Sequence, residues 1–405
     1  MFNTESYELG SKRSVIRELF EYGKEYAKIH GSDSLFDFSL GNPSIPAPNC
    51  VNEAITEIIR NEPSVLVHGY TSAQGDFSAR KAISDSINRR FGANLSPDGI
   101  YITCGAAASV AITLKAVCER ADDEVMVFAP YFPEYDVFIK NGGAIPVAVA
   151  PDENFLPDFE DFEKKLSEKT RAVIINSPVN PSGAVYGEAT VKKICAALSK
   201  ANEKYGRKII VVCDEPYREI VYDGKTVPYI MNYYDDAVVC YSFSKSLSLP
   251  GERIGYIAVG PKCSEERRLY AAICGAGRGM GYVCAPSLMQ AVISRCVDAK
   301  TDISAYEKNR DLLCGVLESI GYSFVKPDGA FYLMLKSPED DACAFSERAK
   351  KYGLLLVPSD GFGIKGYVRV AFCVDGEMIK KSAAAFAALF DSYKNQCVAQ
   401  DLPRT

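Results

Sequence analysis

A chain of 405 residues, 47% hydrophobic and 24% charged, can bury one large or two medium cores and has the composition of a globular protein. Its net charge of −6 argues against a broad nucleic-acid surface, which needs clustered Lys and Arg to displace counterions. With only His30 and His68 present, a His-rich metal site is excluded, and a Ser-His-Asp or Cys-His machine would have to use one of these two.

The opening MFNTESYELGSKRSV carries Glu5 and Glu8 and no apolar core segment, so no signal peptide is expected. No apolar run reaches the roughly 18 residues of a membrane span. Apolar residues at helical spacing predict an amphipathic helix over 14–29, including Val15, Ile16, Leu19 and Phe20. FDFSLGNPSIPAP follows as an extended, turn-rich segment whose prolines exclude a regular helix. From residue 50 onward, helical patterns over 51–60, 79–91, 106–119, 159–167 and 189–205 alternate with short β-rich runs. The runs are GIYIT, EVMVFA, IPVAVA, RAVIIN, KIIVVCDE, AVVCYSFS and IGYIAVG. Most are continuously apolar, as strands covered on both faces are. The pattern predicts an α/β domain with a mainly parallel sheet. An apolar-periodic stretch over 286–320 predicts one long or broken helix. SFVKP, FYLMLK, LLLVP and YVRVAFC, with helices over 342–352 and 377–393, predict a smaller α+β domain. The expected division is 46–290 for the large domain and 1–45 with 291–405 for the small one. The 14 cysteines include no CxxC pair, and several lie inside apolar runs, the usage of reduced thiols in a reducing cytosol.

Ligands collect at the carboxyl ends of strands in open α/β sheets. Four such ends carry polar groups: Asn180 in NSPVNPSG, Asp214 and Tyr217 in CDEPYREI, Lys245 and Arg253 in SFSKSLSLPGERIG, and Gly105 at the head of a helical pattern. Singly, each has a plain reading as a turn residue or helix cap. Together they suit pyridoxal phosphate: an amine for its aldehyde, an acid for its ring nitrogen, donors for its phenolate, and cations and helix amides for its phosphate.

Nine motifs, in order and spanning nearly the whole chain, resemble the aspartate aminotransferase family of fold type I pyridoxal phosphate enzymes. They are FSLGNPS, GYTSAQGDFSARKAI, ITCGAAAS, DEVMVFAPYFPEY, NSPVNPSG, CDEPYREIVYDG, SFSKSLSLPGERIGY, GAFYLMLK and YVRVAFC. The resemblance implies that Lys245 forms the Schiff base with the cofactor and shuttles the substrate proton. Asp214 pairs with the ring nitrogen, and Tyr217 and Asn180 contact the phenolate. Phe132 stacks on the ring. Gly105, Ala106, Ala107, Ser242 and Arg253 bind the phosphate, with Tyr70 reaching it from a partner subunit, hence a homodimer. Arg369 clamps the substrate α-carboxylate with Gly41 beside it. Neighbouring cations should depress the pKa of Lys245. The chain departs from the family pattern in having no tryptophan, so the ring stack falls to Phe132. Ala106 and Ala107 carry no hydroxyl, so their contacts must be backbone amides.

Arg278, 33 residues after Lys245 in CGAGRGMGYVCAP, has two readings. One is a surface arginine in a flexible Gly-rich loop. The other is a partner-donated cation for a distal carboxylate, as in one branch of the family. The expected reaction moves an amino group from aspartate, or a broad acidic and neutral range, to 2-oxoglutarate, with alanine and aromatic donors open. A C–S β-lyase would use the same Lys, Asp and Arg, since the cofactor does the hard chemistry. A ligand-sensing regulator domain lacks room for a winged helix in the acidic lead.

Overall fold

The structure, a computed structural model, describes residues 1–11 and 15–400, with side chains as far as 394. Position 14 of the expected first helix, and positions 12–14 and 401–405 of the expected small domain, lie outside the described residues.

All seven expected runs of the first block are strands of one sheet. With the short strand β1 (Phe36–Asp37) counted first, they are β2 (Ile100–Thr103), β3 (Glu124–Phe128), β4 (Ile145–Val149), β5 (Thr170–Asn176), β6 (Ile210–Asp214), β7 (Ala237–Ser242) and β8 (Gly255–Val259). Their spatial order is β2-β8-β7-β6-β5-β3-β4. The pairs from β7 through β4 are parallel, and β8 runs antiparallel to both of its neighbours.

The continuous apolar runs separate by period two into two cores. Val125, Val127, Ile174, Ile210, Val212, Val238 and Cys240 face the helices Ala106–Val117, Glu134–Gly142 and Glu266–Gly279. Met126, Phe128, Val173, Ile175, Val211, Cys213 and Val239 face Phe77–Phe91, Glu188–Tyr205 and Ser287–Cys296. Burying both faces removes the alternation that a one-sided sheet would display.

The helices Glu134–Gly142 and Glu266–Gly279 were not expected from the pattern. The second corrects the loop reading of the Gly-rich segment: Arg278 stands in the last turn of a helix. The 286–320 stretch is broken, as Ser287–Cys296 and Ser304–Ile320.

The second block forms a three-stranded antiparallel sheet, ordered β11-β12-β9, from β9 (Tyr332–Lys336), β11 (Val357–Pro358) and β12 (Tyr367–Ala371). Between them, β10 (Leu354–Leu355) pairs in parallel with β1, so an N-terminal segment is tied to the C-terminal block. The core here is Phe38, Tyr306, Leu313, Phe331, Leu333, Phe345, Val368 and Phe386, all fully or almost fully buried. Among the described residues no helix is long and apolar enough to cross a membrane.

Candidate active site

Strand register brings chemistry-bearing residues level at one end of the large sheet. Asn176 pairs with Asp214, Asp214 with Cys240, Ser242 with Gly255, and Gly255 with Thr103. The loops that leave these positions meet around a cavity of about 290 Å³, walled by Asn180, Asp214, Tyr217, Lys245, Arg253 and Arg369 among others.

Lys245 sits in a single helical turn, Phe243–Ser246. Ser242 caps that turn: its Oγ accepts from the Ser244 N–H at 3.1 Å and donates to Ser244 Oγ at 2.6 Å. Lys245 Nζ donates to the Gly41 carbonyl at 2.6 Å and lies 5.5 Å from the centre of the Phe331 ring. A Cβ at Gly41 would overlap the Tyr332 hydroxyl, so only glycine lets the carbonyl approach the amine there. Burial is the first cause of a Lys245 pKa pulled down to about 8. The Cys373 thiol opposes the fall, and Arg253 and Arg369 add to it. The sequence reading relied on neighbouring cations; desolvation of the ammonium matters more.

Asp214 ends β6 and is 7% exposed. Its Oδ2 accepts from the Tyr135 hydroxyl at 2.6 Å, and its backbone carbonyl accepts from Asn176 Nδ2 at 2.8 Å. Oδ1 is buried without a partner. Burial drives the carboxyl up to about 7; the Tyr135 hydrogen bond opposes this and Glu215 adds to it. Asn176 also holds the neighbouring loop, since its Oδ1 accepts from the Asn180 N–H at 2.8 Å.

Arg369 rises from β12 and is 2% exposed. Nη1 donates to Asn180 Oδ1 at 3.1 Å and Nη2 to the Ser39 carbonyl at 2.7 Å, while Nε is buried without an acceptor. Its guanidinium lies over the Tyr332 ring at 4.6 Å. The Tyr332 hydroxyl is 2.8 Å from that of Tyr217. A buried cation with an open donor is a ready partner for a carboxylate.

Across the cavity the helix Ala106–Val117 begins after Gly105, at φ +93°, with no side chain capping its first amides. A Cβ at Gly105 would stand 2.9 Å from Arg253 Nη2. Arg253, itself at φ +53°, donates to the Pro250 carbonyl at 2.9 Å and to the Cys104 carbonyl at 3.1 Å. Uncapped amides beside a guanidinium form an anion cradle. Phe132 completes the wall, its ring edge-on to Tyr135 at 5.7 Å.

The structure thus brings together Gly41, Ala106, Ala107, Phe132, Asn180, Asp214, Tyr217, Ser242, Lys245, Arg253 and Arg369 on one cavity, with Gly105 directly behind. Tyr70, 98% exposed, and Arg278, also exposed, do not line it. Sequence reasoning missed Tyr135, Asn176, Ser244, Tyr332 and Ile16, which also line it. Tyr135 and Tyr332 stand inside the motifs DEVMVFAPYFPEY and GAFYLMLK, but their partners lie 79 and 115 residues away in sequence.

A mainly parallel sheet that gathers an acid, a lysine and two arginines at its carboxyl ends places the chain among α/β enzymes that bind a small ligand at the strand ends. The chain belongs to the aminotransferase class I and II family, whose model matches residues 33–386. Relatives include a probable aspartate aminotransferase of Methanocaldococcus jannaschii, 28% identical over 94% of this chain and 98% of the relative. An amino transferase from Eubacterium rectale, of solved structure, is 53% identical with a TM-score of 0.95, covering 97% of this chain and 99% of that one. The solved aspartate aminotransferase of Thermotoga maritima is 26% identical with a TM-score of 0.85, covering 96% and 100%. The enzyme is therefore a transaminase, with amino acids and 2-oxo acids as its substrate classes.

Proposed function

We propose that the cavity takes pyridoxal 5'-phosphate, and that the enzyme passes the amino group of aspartate, or of a broader range of L-amino acids, to 2-oxoglutarate. One observation carries the cofactor reading: the buried Asp214 Oδ1 has no partner on the wall that also presents Lys245 and an uncapped helix start. A carboxylate oxygen left bare inside a protein is costly unless a ligand cation meets it.

The residues fit the group. Asp214 would face the ring nitrogen, Phe132 the ring, and Tyr217 with Asn180 the phenolate oxygen. Ser242, Arg253 and the amides at Gly105, Ala106 and Ala107 would hold the phosphate. When bound, pyridoxal phosphate supplies an aldehyde for an amine and a cationic ring that draws electrons from the substrate α-carbon.

The chain's own part is binding and proton handling. The Arg369 guanidinium, whose Nε–H has no acceptor within the protein, receives the substrate α-carboxylate. Lys245, with its pKa pulled down to about 8, is partly unprotonated near neutrality, so Nζ can take the α-proton and return it on the other side of the reaction. The centre of the Phe331 ring lies 5.5 Å from this amine, and Tyr217 and Tyr332 share the cavity wall with it.

The aspartate reading rests on the names of the M. jannaschii and T. maritima relatives and on cation bookkeeping. Lys245, Arg253 and Arg369 are the cations on the cavity wall, and each has a task. A distal carboxylate therefore needs a cation from a second copy of the chain, and Arg278 is our candidate, with Tyr70 joining the phosphate from the same side. This makes the working unit a homodimer. We also keep the two-domain division as a proposal, moving its second boundary from 290 to beyond Cys296. Residue 290 falls inside Ser287–Cys296, whose Met289, Val292 and Ile293 are buried in the large-sheet core. The 13 described cysteines are all free, which supports a cytosolic setting.

Half-reactions test this reading. The holoenzyme is mixed with single L-amino acids and the absorbance of its cofactor is followed. Aspartate should convert it among the fastest, and Lys245→Ala should lose at least about 10²-fold in rate, the lower end for a positioned acid–base group. Conversion by alanine or aromatic donors alone would move the substrate elsewhere, and an active Lys245→Ala protein would end the lysine's role.

A further inference from the structure

The helix Glu134–Gly142 turns one phenol into the site. Tyr135 is 2% exposed and donates to Asp214 Oδ2 at 2.6 Å, a short, charge-assisted bond between buried partners. The ring is held by the edge-on Phe132, so the hydroxyl has little freedom to turn away. The other groups near Asp214 do not share this task. Glu215, next in sequence, is bound to Arg218 and adds unfavourable charge. Cys240 on β7 shares a contact with Thr113 from the helix Ala106–Val117. Tyr217 is engaged with Tyr332, and Asn176 reaches the Asp214 backbone rather than the carboxylate. Tyr135 is thus the one side chain, among the described residues, that donates to this carboxylate.

We propose that Tyr135 is a positioning residue for the transamination site: by binding Oδ2 it aims the bare Oδ1 into the cavity and keeps Asp214 ionised for the ring nitrogen of the cofactor. The inference rests on the pyridoxal phosphate reading above. Both oxygens have defined work, one toward the protein and one toward the ligand. Burial alone would leave the carboxyl neutral over most of the neutral range, and a neutral acid cannot pair with a cationic ring. The phenol is itself pushed well above its ordinary value by burial, so it remains a donor across the working pH range.

The test titrates full-length wild type and Tyr135→Phe with pyridoxal phosphate between pH 5 and 9, with kcat and KM measured on the loaded proteins. Removing only the hydroxyl should weaken cofactor binding near pH 7 by about 10- to 100-fold, the range for a hydrogen bond to a charged group. The pH below which binding fails should rise, because the bond that favours the carboxylate is gone. The loaded variant should lose kcat while its amino-acid KM stays within about twofold, since Arg369 is untouched. Tyr135→His, which keeps an N–H donor, should hold the acid limit nearer to wild type, and it serves alone should the Phe variant fail to fold. A Phe variant with an unchanged acid limit, or a His variant with its limit raised as far as that of Phe or clearly above wild type, overturns the assignment. A wild-type chain that takes up no pyridoxal phosphate overturns the cofactor reading itself, and this inference with it.

Discussion

At the scale of single residues, the site is a set of groups held in states they would not adopt in water. Asp214 is the clearest case. Its carboxyl ordinarily titrates near 3.8, and in the fold it is driven up to about 7. Between those values the folded chain holds a proton that the unfolded chain has lost, so stability falls as pH rises through that window. The penalty is complete above pH 7 and absent below about pH 4. Three pH units of difference correspond to about 4 kcal/mol. Urea unfolding of the cofactor-free chain should therefore give higher stability at pH 5 than at pH 8, and Asp214→Asn should flatten that difference. A profile equally steep in the variant would place its origin elsewhere. Lys245 shows the converse: its buried ammonium is the burden below pH 8, relieved as pH climbs toward 10.5. Both groups become useful for the reason that they are costly.

At the scale of elements, the helix Ser304–Ile320 is fixed to the large sheet's loops by Arg310, with Glu307 accepting from the Asp223 N–H at 3.0 Å beside it. Arg310 is completely buried. Its Nη1 donates to Asp223 Oδ2 at 2.8 Å and Nη2 to Asp223 Oδ1 at 3.2 Å, while its guanidinium stacks over Tyr222 at 4.6 Å. The bidentate pair spans 87 residues of sequence. With Asp223 half exposed and able to regain water, the cost of Arg310→Ala comes from emptying a fully buried position, about 2–3 kcal/mol, read as a lowered midpoint in urea. A loss below about 1 kcal/mol would mean that packing of Leu313 and Leu317 holds the helix unaided. The helix Glu266–Gly279 illustrates a different limit. Gly275, Gly277 and Gly279 read as a loop in sequence, yet Gly277 is required because a Cβ there would overlap the Tyr101 hydroxyl on β2. Helix propensity yielded to close packing.

For the whole molecule, one face remains to be covered. Val65, Leu66, Tyr70 and Phe77 are exposed by 76%, 71%, 98% and 56%, and Met280, Tyr282 and Val283 lie exposed as well. The two segments are laced together: Cys284 Sγ donates to the Thr71 carbonyl at 3.3 Å, and Ser287 Oγ to the Val67 carbonyl at 2.7 Å. A patch of this kind marks an interaction surface. The homodimer proposed above would cover it with a second copy of the chain. Sedimentation should give twice the mass of one chain, and Leu66→Asp should yield monomers with reduced activity. A monomeric wild type with full activity would separate the site from any partner.

The strands are legible in the sequence alone, because runs such as IIVVCD are short, β-branched and apolar on both faces, as strands of a covered sheet are. The polar residues at the strand ends, from Asn180 to Arg253, are legible there too, because they directly follow those runs, and the structure gathers them on one cavity. The tertiary structure decided what those residues touch. That Tyr135 serves Asp214, that Tyr332 closes over Gly41, and that desolvation outweighs neighbouring charge at Lys245 all depend on contacts between segments far apart in the chain. Periodicity and motif spacing record local geometry; burial, and the pKa values and orphaned donors that come with it, exist only once distant segments have packed.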